Sequence, residues 1–391
     1  MAEHESNHWA LSAVVSEEFL NTLARNGIGD GIAAAEFRQQ FHLPMMGSLD
    51  LSIAMVIVEV RFEMREANDD RLHAIIRATG DIGFHGETMM PALPGLARVR
   101  GEVLVRPRVE LRPDGTFVAI LDLAGSELVS MTLEAIDGIE ANAEAQAQMG
   151  QLLFAAVGGE LFEGLAGQLG SIGLELGATE AHVLTELGVR PSPADVRMSD
   201  GSMTVGLPAV AGLEGNAHVQ IGGVEVDGGG RIGGGRIGGR GIAIGVAAGA
   251  LGALATRLAA DTLGVPLPFE VDVIARDDRV GTRFRNQRLV ESSFLPDLRP
   301  GLRSTVRTRL VGDQLELSLR EAWVELPLVP PAINRLNRWF GGVAALAPLN
   351  VTIPAHGSIP VRPDSDAKLD VRITELDVGR DGVTFVVEAH L

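Results

Sequence analysis

Long stretches of this chain alternate apolar and polar residues with a period of two. In 98–112, Val99, Gly101, Val103, Val105, Val109 and Leu111 share one parity, while Arg98, Arg100, Glu102, Arg106, Arg108, Glu110 and Arg112 share the other. This pattern predicts an antiparallel strand with one wet face. Pro113-Asp114-Gly115 then supplies a turn, after which Phe117, Ala119, Leu121 and Leu123 are expected to face inward again. Residues 72–84 alternate in the same way. The stretch 49–65 changes phase partway: Leu49, Leu51, Ile53, Met55 and Ile57 lie on one parity, and Val56, Val58, Val60, Phe62 and Met64 on the other. A one-residue slip turns every side chain over, so the pattern predicts a β-bulge near 56–58 within a long, coiled strand.

Helical spacing interrupts the strands. Ser16 followed by Glu17 and Glu18 reads as an N-cap with an acidic first turn. Residues 143–176 are rich in Ala, Leu and Phe and are expected to be helical, as are 249–263 and 330–346. The last of these begins with Pro and carries Ile333, Leu336, Phe340 and Val343 on one stripe.

The ends of the two halves of the chain repeat one another. Leu187, Val189, Arg190, Asp195, Val196, Asp200 and Gly201 match Leu369, Val371, Arg372, Asp377, Val378, Asp381 and Gly382 in order, with one gap. Before each copy lie a short strand leading into a helix, a meander of alternating strands and a long apolar helix. The expectation is a duplication, with one repeat over 1–210, a Gly-rich crossover over 211–241 and a second repeat over 242–391. Helix, coiled antiparallel sheet, second helix and closing hairpin, twice over, resembles the tubular lipid-binding (TULIP) superfamily, and in particular the two-repeat bactericidal permeability-increasing proteins. The paired Asp-Gly hairpins and the 14–24 helix start carry the likeness; the cysteine pair and secretory signal usual in secreted animal members are missing. The resemblance implies an elongated α+β protein of two tandem repeats, each a long coiled antiparallel β-sheet wrapped around apolar helices, with tunnels for lipid acyl chains.

The residues suit that implication. Gly158, Gly159, Gly249 and Gly252 leave space on the helices, and an alkyl chain entering an apolar cavity gains about 0.8 kcal/mol per CH₂. The expected tunnel lining is Phe19, Leu20, Leu23, Leu161, Leu165, Leu251, Leu254, Ile333 and Leu336 from helices, with Val103, Val105, Leu315 and Leu317 from strands. A core filled by side chains alone satisfies the same pattern and makes the chain a scaffold or an accessory to a toxin or envelope complex. Arg335, Arg338, Trp339 and Phe340 form a candidate membrane contact.

Composition narrows the chemistry. With 46% hydrophobic residues the 391-residue chain still has no apolar run long enough to span a bilayer as a helix. The start has no basic region ahead of an apolar stretch, which gives a cytoplasmic expectation. Cysteine is absent, removing disulfides and thiolate chemistry. Lys368 is the only lysine and tyrosine is absent, a bias expected of a GC-rich bacterial genome. The net charge of -18 argues against nucleic acid as partner. It is unevenly spread: residues 1–200 hold 13 Arg and 30 acidic residues, a balance of -17, while the remainder balances at -1 with 20 basic and 21 acidic. Either the first half is simply a solvated acidic surface or the second half sits nearer an anionic one.

The Gly-rich stretch 228–241 contains G-x-G-x-x-G twice, but no helix directly follows and the chain is not built of βαβ units, so a dinucleotide site is not expected. It suits a crossover whose glycines permit unusual backbone, with Arg231, Arg236 and Arg240 kept wet or meeting lipid phosphate. His4-Glu5-x-x-His8 has zinc-protease spacing at a terminus that lacks the rigid helix such a site needs. No catalytic constellation, metal set or cofactor motif emerges, and a non-enzymatic lipid binder is the expectation.

Overall fold

The computed structural model describes residues 8–28, 34–43, 47–68, 70–86, 95–122, 126–136, 171–213, 217, 219–221, 224–225, 241–253, 270–276, 279–285, 301–325, 350–360, 368–378 and 382–390. Their architecture is mostly antiparallel sheet with few helices. The 23 strands run β1 (Trp9–Ser16), β2 (Ala34–Leu43), β3 (Gly47–Glu63), β4 (Leu72–Gly86), β5 (Gly95–Val105), β6 (Pro107–Leu111), β7 (Phe117–Asp122), β8 (Glu127–Ile136), β9 (Ser171–Leu176), β10 (Ser192–Pro193), β11 (Asp195–Ser199), β12 (Ser202–Pro208), β13 (Gln220–Ile221), β14 (Val224–Glu225), β15 (Gly241–Ala247), β16 (Glu270–Arg276), β17 (Arg279–Arg285), β18 (Gly301–Val311), β19 (Gln314–Glu325), β20 (Asn350–Pro354), β21 (His356–Pro360), β22 (Lys368–Val378) and β23 (Gly382–His390). Helix α1 spans Glu17–Ile28 and α2 spans Ala178–Glu186.

A seven-stranded sheet in the order β11-β12-β1-β15-β23-β22-β21 holds the ends of both halves of the chain. At its centre β1 and β15 pair antiparallel from Leu11 opposite Val246 to Val15 opposite Ile242. Each then runs into helix: β1 into α1, β15 into a helical stretch over 248–253. Hairpins flank the pair, β11-β12 on one side and β22-β23 on the other. Trp9 packs over Gly206, where any Cβ would collide with its ring. Arg197 covers the indole at 5.4 Å.

Two five-stranded sheets extend from this centre, β2-β3-β4-β5-β8 and β16-β17-β18-β19-β20. The expected phase change is present in β3: pairing with β4 skips from Ile57 to Glu59, leaving Val58 bulged and 53% exposed. Met55 and Ile57 before the bulge, and Val60 and Phe62 after it, are therefore all buried on one face. One side of the sheet stays apolar through 17 residues.

The expected single strand over 98–112 is broken. β5 stops at Val105, Arg106 is exposed, and β6 joins a separate sheet, β10-β6-β7-β9. Pro107 has no N–H with which to continue a ladder. β20 and β21 change sheets in the same manner at Ala355, whose N–H donates to the Asp313 carbonyl at 2.8 Å. In β7 the buried positions are Val118 and Leu121, with Phe117 and Ala119 half-buried, so the expected inward parity fails at Phe117 and Ala119. The strand is enclosed by β6 on one side and β9 on the other. Leu123 lies outside the described residues.

The helix expected over 143–176 does not reach its end. Ser171–Leu176 is strand β9, paired with β7, because Ile172, Leu174 and Leu176 alternate with Ser171, Gly173 and Glu175. Residues 143–170 lie outside the described set, as do 254–263 of the helix expected over 249–263 and all of 330–346. Helix α2 was not anticipated; its residues make no strong apolar stripe.

The Asp200-Gly201 hairpin tip locks the first half together. Gly201 stands at φ +80°, donates its N–H to the Met64 carbonyl at 3.1 Å and accepts from the Glu17 N–H at 3.0 Å. Asp200 accepts from the Glu66 N–H at 3.3 Å. Gly201→Ala should destabilise the protein by about 1 to 2 kcal/mol through the left-handed backbone alone. Urea titration followed by circular dichroism measures it; an unchanged midpoint refutes the locking role.

Candidate functional site

The strongest candidate is the apolar layer between α1 and the inner face of β3, β4 and β5. α1 starts where Ser16 accepts from the Phe19 N–H at 3.2 Å, as the N-cap reading requires. Its buried stripe of Phe19, Leu20 and Ala24, with Leu23 at the margin, packs into a cluster with Met55, Ile57, Phe62, Leu72, Val103 and Val105. Ile57, Phe62, Leu72, Val103 and Val105 have no exposed surface.

β2 pairs with β3 only as far as Val56, so among the described residues the last seven of β3, 57–63, have no partner strand on that side. α1 takes its place. Asn21 donates Nδ2–H to the Phe62 carbonyl at 3.0 Å and accepts from the Phe62 N–H at 2.7 Å, reproducing both bonds of an absent strand. One turn earlier, Glu17 accepts from the Met64 N–H at 2.9 Å. Buried backbone groups need partners, and these two side chains supply them while seating the apolar stripe. The period-two and period-3.6 signals did not disclose this role. The available signal was the pair Glu17 and Asn21, spaced i, i+4 on the polar flank of the stripe.

The outer face of this sheet is an ionic ladder. Arg77 reaches Glu59 at 2.8 Å and Glu134 at 3.5 Å. His73 lies between Glu63 at 3.5 Å and Glu102 at 3.4 Å, on the strands to either side. Burial opposes ionisation of Glu63, but the bond and charge of Arg65, with His73, outweigh it and hold this carboxyl below its ordinary value.

Where β5 gives way to β6, a polar cleft of about 530 Å³ opens between the sheets, lined by Asp70, Arg106, Arg108, Glu110, Asp122 and Asp195 among others. Arg106 pairs with Asp70 at 3.0 Å. Glu110 accepts from Arg112 at 3.1 Å and from Arg108 at 2.9 Å, which together hold it below its ordinary value despite partial burial. The cleft's charges are largely matched within the chain, so it offers little to a charged substrate.

Of the expected tunnel residues, Phe19, Leu20, Leu23, Val103 and Val105 come together in the one cluster. Leu251 is half-buried beside two further clusters near the central sheet. Leu315 is half-buried on β19 opposite Leu310 and Ile353, and Leu317 occupies the same face opposite Thr308 and Val351. Leu161, Leu165, Leu254, Ile333 and Leu336 lie outside the described residues, as do Arg335, Arg338, Trp339 and Phe340 and the Gly-rich segment 226–240. Among the described residues, no cluster of His, Asp and Glu is arranged to hold a metal ion, and no helix is long and apolar enough to cross a membrane.

Asn21→Ala should lower stability by about 2 to 4 kcal/mol, since it leaves two groups of Phe62 unpartnered at about 1 to 2 kcal/mol each. Chemical denaturation reads the loss; a change below 0.5 kcal/mol would show the edge satisfied by other means. Glu63 and Glu110 have depressed folded-state values, so the stability they add is present above about 4.5 and is lost as pH falls through the lower folded value. The double variant Glu63→Gln, Glu110→Gln should melt lower than the parent at pH 7, and the gap should close as pH falls through the lowered folded values.

No family model matches the chain, and no curated protein matches it. Among solved structures it is similar to a lipopolysaccharide binding protein, at 11% identity and TM-score 0.34, over 98% of this chain and 99% of that one. It is also similar to P47 from Clostridium botulinum A2, at 10% identity and TM-score 0.37, over 98% of this chain and 97% of the other.

Proposed function

We propose that this is a non-enzymatic cytoplasmic lipid-binding or lipid-transfer protein, built of two tubular lipid-binding repeats, that carries phospholipid or fatty acid acyl chains along the apolar faces of its two five-stranded sheets. One observation carries the reading: a mismatch of lengths. β3 holds 17 residues, about 56 Å of strand at 3.3 Å per residue, and its bulge keeps the inner face apolar throughout. α1 holds 12 residues, about 18 Å of helix. The helix therefore accounts for roughly a third of the strand it lies on. The remaining length has room for an extended acyl chain, or for a second apolar helix, for which 143–170 offers the sequence. Chains burying against such a face gain about 0.8 kcal/mol per CH₂, while the headgroup stays in water.

Duplication is supported by the pairing scheme. Each half contributes a strand that turns into helix, a hairpin beside it, and a strand that leaves a five-stranded sheet for another at a single residue, Arg106 or Ala355. In this reading 1–210 and 242–391 are the repeats and 211–241 joins them.

A second reading has its own observation. Ile57, Phe62, Val103 and Val105 are enclosed by side chains alone, as expected of a dry scaffold or of an accessory in a larger complex.

Native mass spectrometry of the purified protein, followed by organic extraction, separates the two. One or two phospholipids or fatty acids per chain are expected, and Leu165→Trp should reduce that loading without lowering the melting temperature. An apo mass that persists after incubation with liposomes would overturn the lipid reading and favour the scaffold.

A further inference from the structure

The second five-stranded sheet sorts its residues by face as cleanly as the first, but with opposite charge. Register places Val271, Val273, Val280, Val306, Leu315 and Val351, with their neighbours of like parity, on one face. Val273 is buried, which marks that face as inner. The other face receives Arg276 from β16, Arg279, Arg283 and Arg285 from β17, and Arg303, Arg307 and Arg309 from β18. Five carboxylates share it: Glu270 and Asp272 on β16, and Glu316, Glu321 and Glu325 on β19. Seven cations against five anions leave an excess of two positive charges, in a chain whose net charge is -18. The corresponding face of the first sheet carries the ladder of Glu59, Glu63, Glu102 and Glu134, and there carboxylates outnumber arginines.

The acids stand toward the edges and the arginines meet in the middle. Arg279 is directly opposite Arg276 on one side and Arg307 on the other, a row of three across three strands. Arg283 is directly opposite Arg303 on one side and Asp272 on the other. Like charges directly opposite one another destabilise a sheet, and an anionic surface laid on the face reverses the sign of that term. Trp323 follows Arg303 in the same row, at the register position opposite it on β19. Arginine beside tryptophan on a polar face suits the headgroup layer of a bilayer, where an indole has both an apolar and a wet side.

We infer that this outer face, formed by the arginine rows of β16, β17 and β18 with Trp323, docks the protein on anionic phospholipid bilayers. The inference rests on the lipid reading for its choice of a bilayer over other polyanions. Docking orients the sheet flat on phosphate headgroups through sequence-remote arginines, each adding about 1 kcal/mol near such a surface. It accounts for why the second half of the chain is spared the acidity of the first.

The test is co-sedimentation of the full chain with vesicles of pure phosphatidylcholine or of phosphatidylcholine with about 30% phosphatidylglycerol, whose headgroups make the surface negative. Binding is expected to the anionic vesicles alone and to vanish at 1 M salt, where the screening length is about 3 Å. Arg283→Gln with Arg303→Gln should weaken it about thirtyfold, the loss two surface cations carry. Arg98→Gln, on the first sheet's outer face, should leave it unchanged. A far-ultraviolet melt verifies folding of each variant, and Arg279→Gln with Arg307→Gln serves should the first pair fail it. Equal binding to both vesicle types, retention by either folded double variant, or preference for nucleic acid over anionic vesicles would overturn the docking face. Lipid extraction by the same protein is scored separately. Extraction without charge-selective docking removes this inference and leaves the lipid reading standing; docking without extraction does the reverse.

Discussion

The antiparallel pairing of β1 with β15 is the contact on which the rest of the molecule hangs. Five residue pairs, Leu11 to Val15 against Val246 to Ile242, join strands more than 220 positions apart in sequence. Each strand offers its other edge to a hairpin strand, β12 or β23, and its end to a helix. Both edges of β1 and both of β15 are thus consumed by pairing, and neither half has a complete sheet without the other. Ala10, Val14, Ala243 and Ala247 are fully or almost fully buried here, small residues that let the layers above and below approach.

From that centre the geometry of each long sheet is a matter of keeping one face dry over a distance no single helix covers. The Val58 bulge does this for β3 by absorbing one residue where twist would otherwise carry the pattern out of phase. Gly80 does it for β4, where a Cβ would run into the Ala54 carbonyl of β3. The outer faces are left to charge. On the first sheet carboxylates and arginines meet strand against strand, while the register of the second sets arginine opposite arginine in two rows.

Much of this was legible in the alternation of residues. The strands, the phase change in β3, the Ser16 cap and the Pro113-Asp114-Gly115 turn all follow from local pattern, since each depends on neighbours within a few positions. What was not legible depends on partners far away. The break at Arg106 is a choice between two sheets, and no period within 98–112 encodes it. The inward side of β7 moved to Val118 because β6 and β9 enclose that strand. Ser171–Leu176 reads as the tail of an apolar helix until β7 appears beside it. Asn21 looked like an ordinary polar helix residue because the β3 edge it completes is 41 positions away. Of the expected lining residues, the five that meet under α1 were found by the same apolar periodicity that forms the core, which is why periodicity alone does not separate a wall from a filling.

The central sheet also sets an order of events for a chain emerging from the ribosome. β1 is complete at Ser16, yet β12 begins at Ser202 and β15 at Gly241. At 5 to 20 residues per second, β1 therefore waits roughly 10 to 40 s for its first neighbour and longer for its second. Throughout that interval Leu11, Val14 and Val15 present an apolar strand with two open edges to solvent or to a chaperone. Synthesis rate, and whatever binds that strand meanwhile, thereby become part of what determines the yield of folded protein.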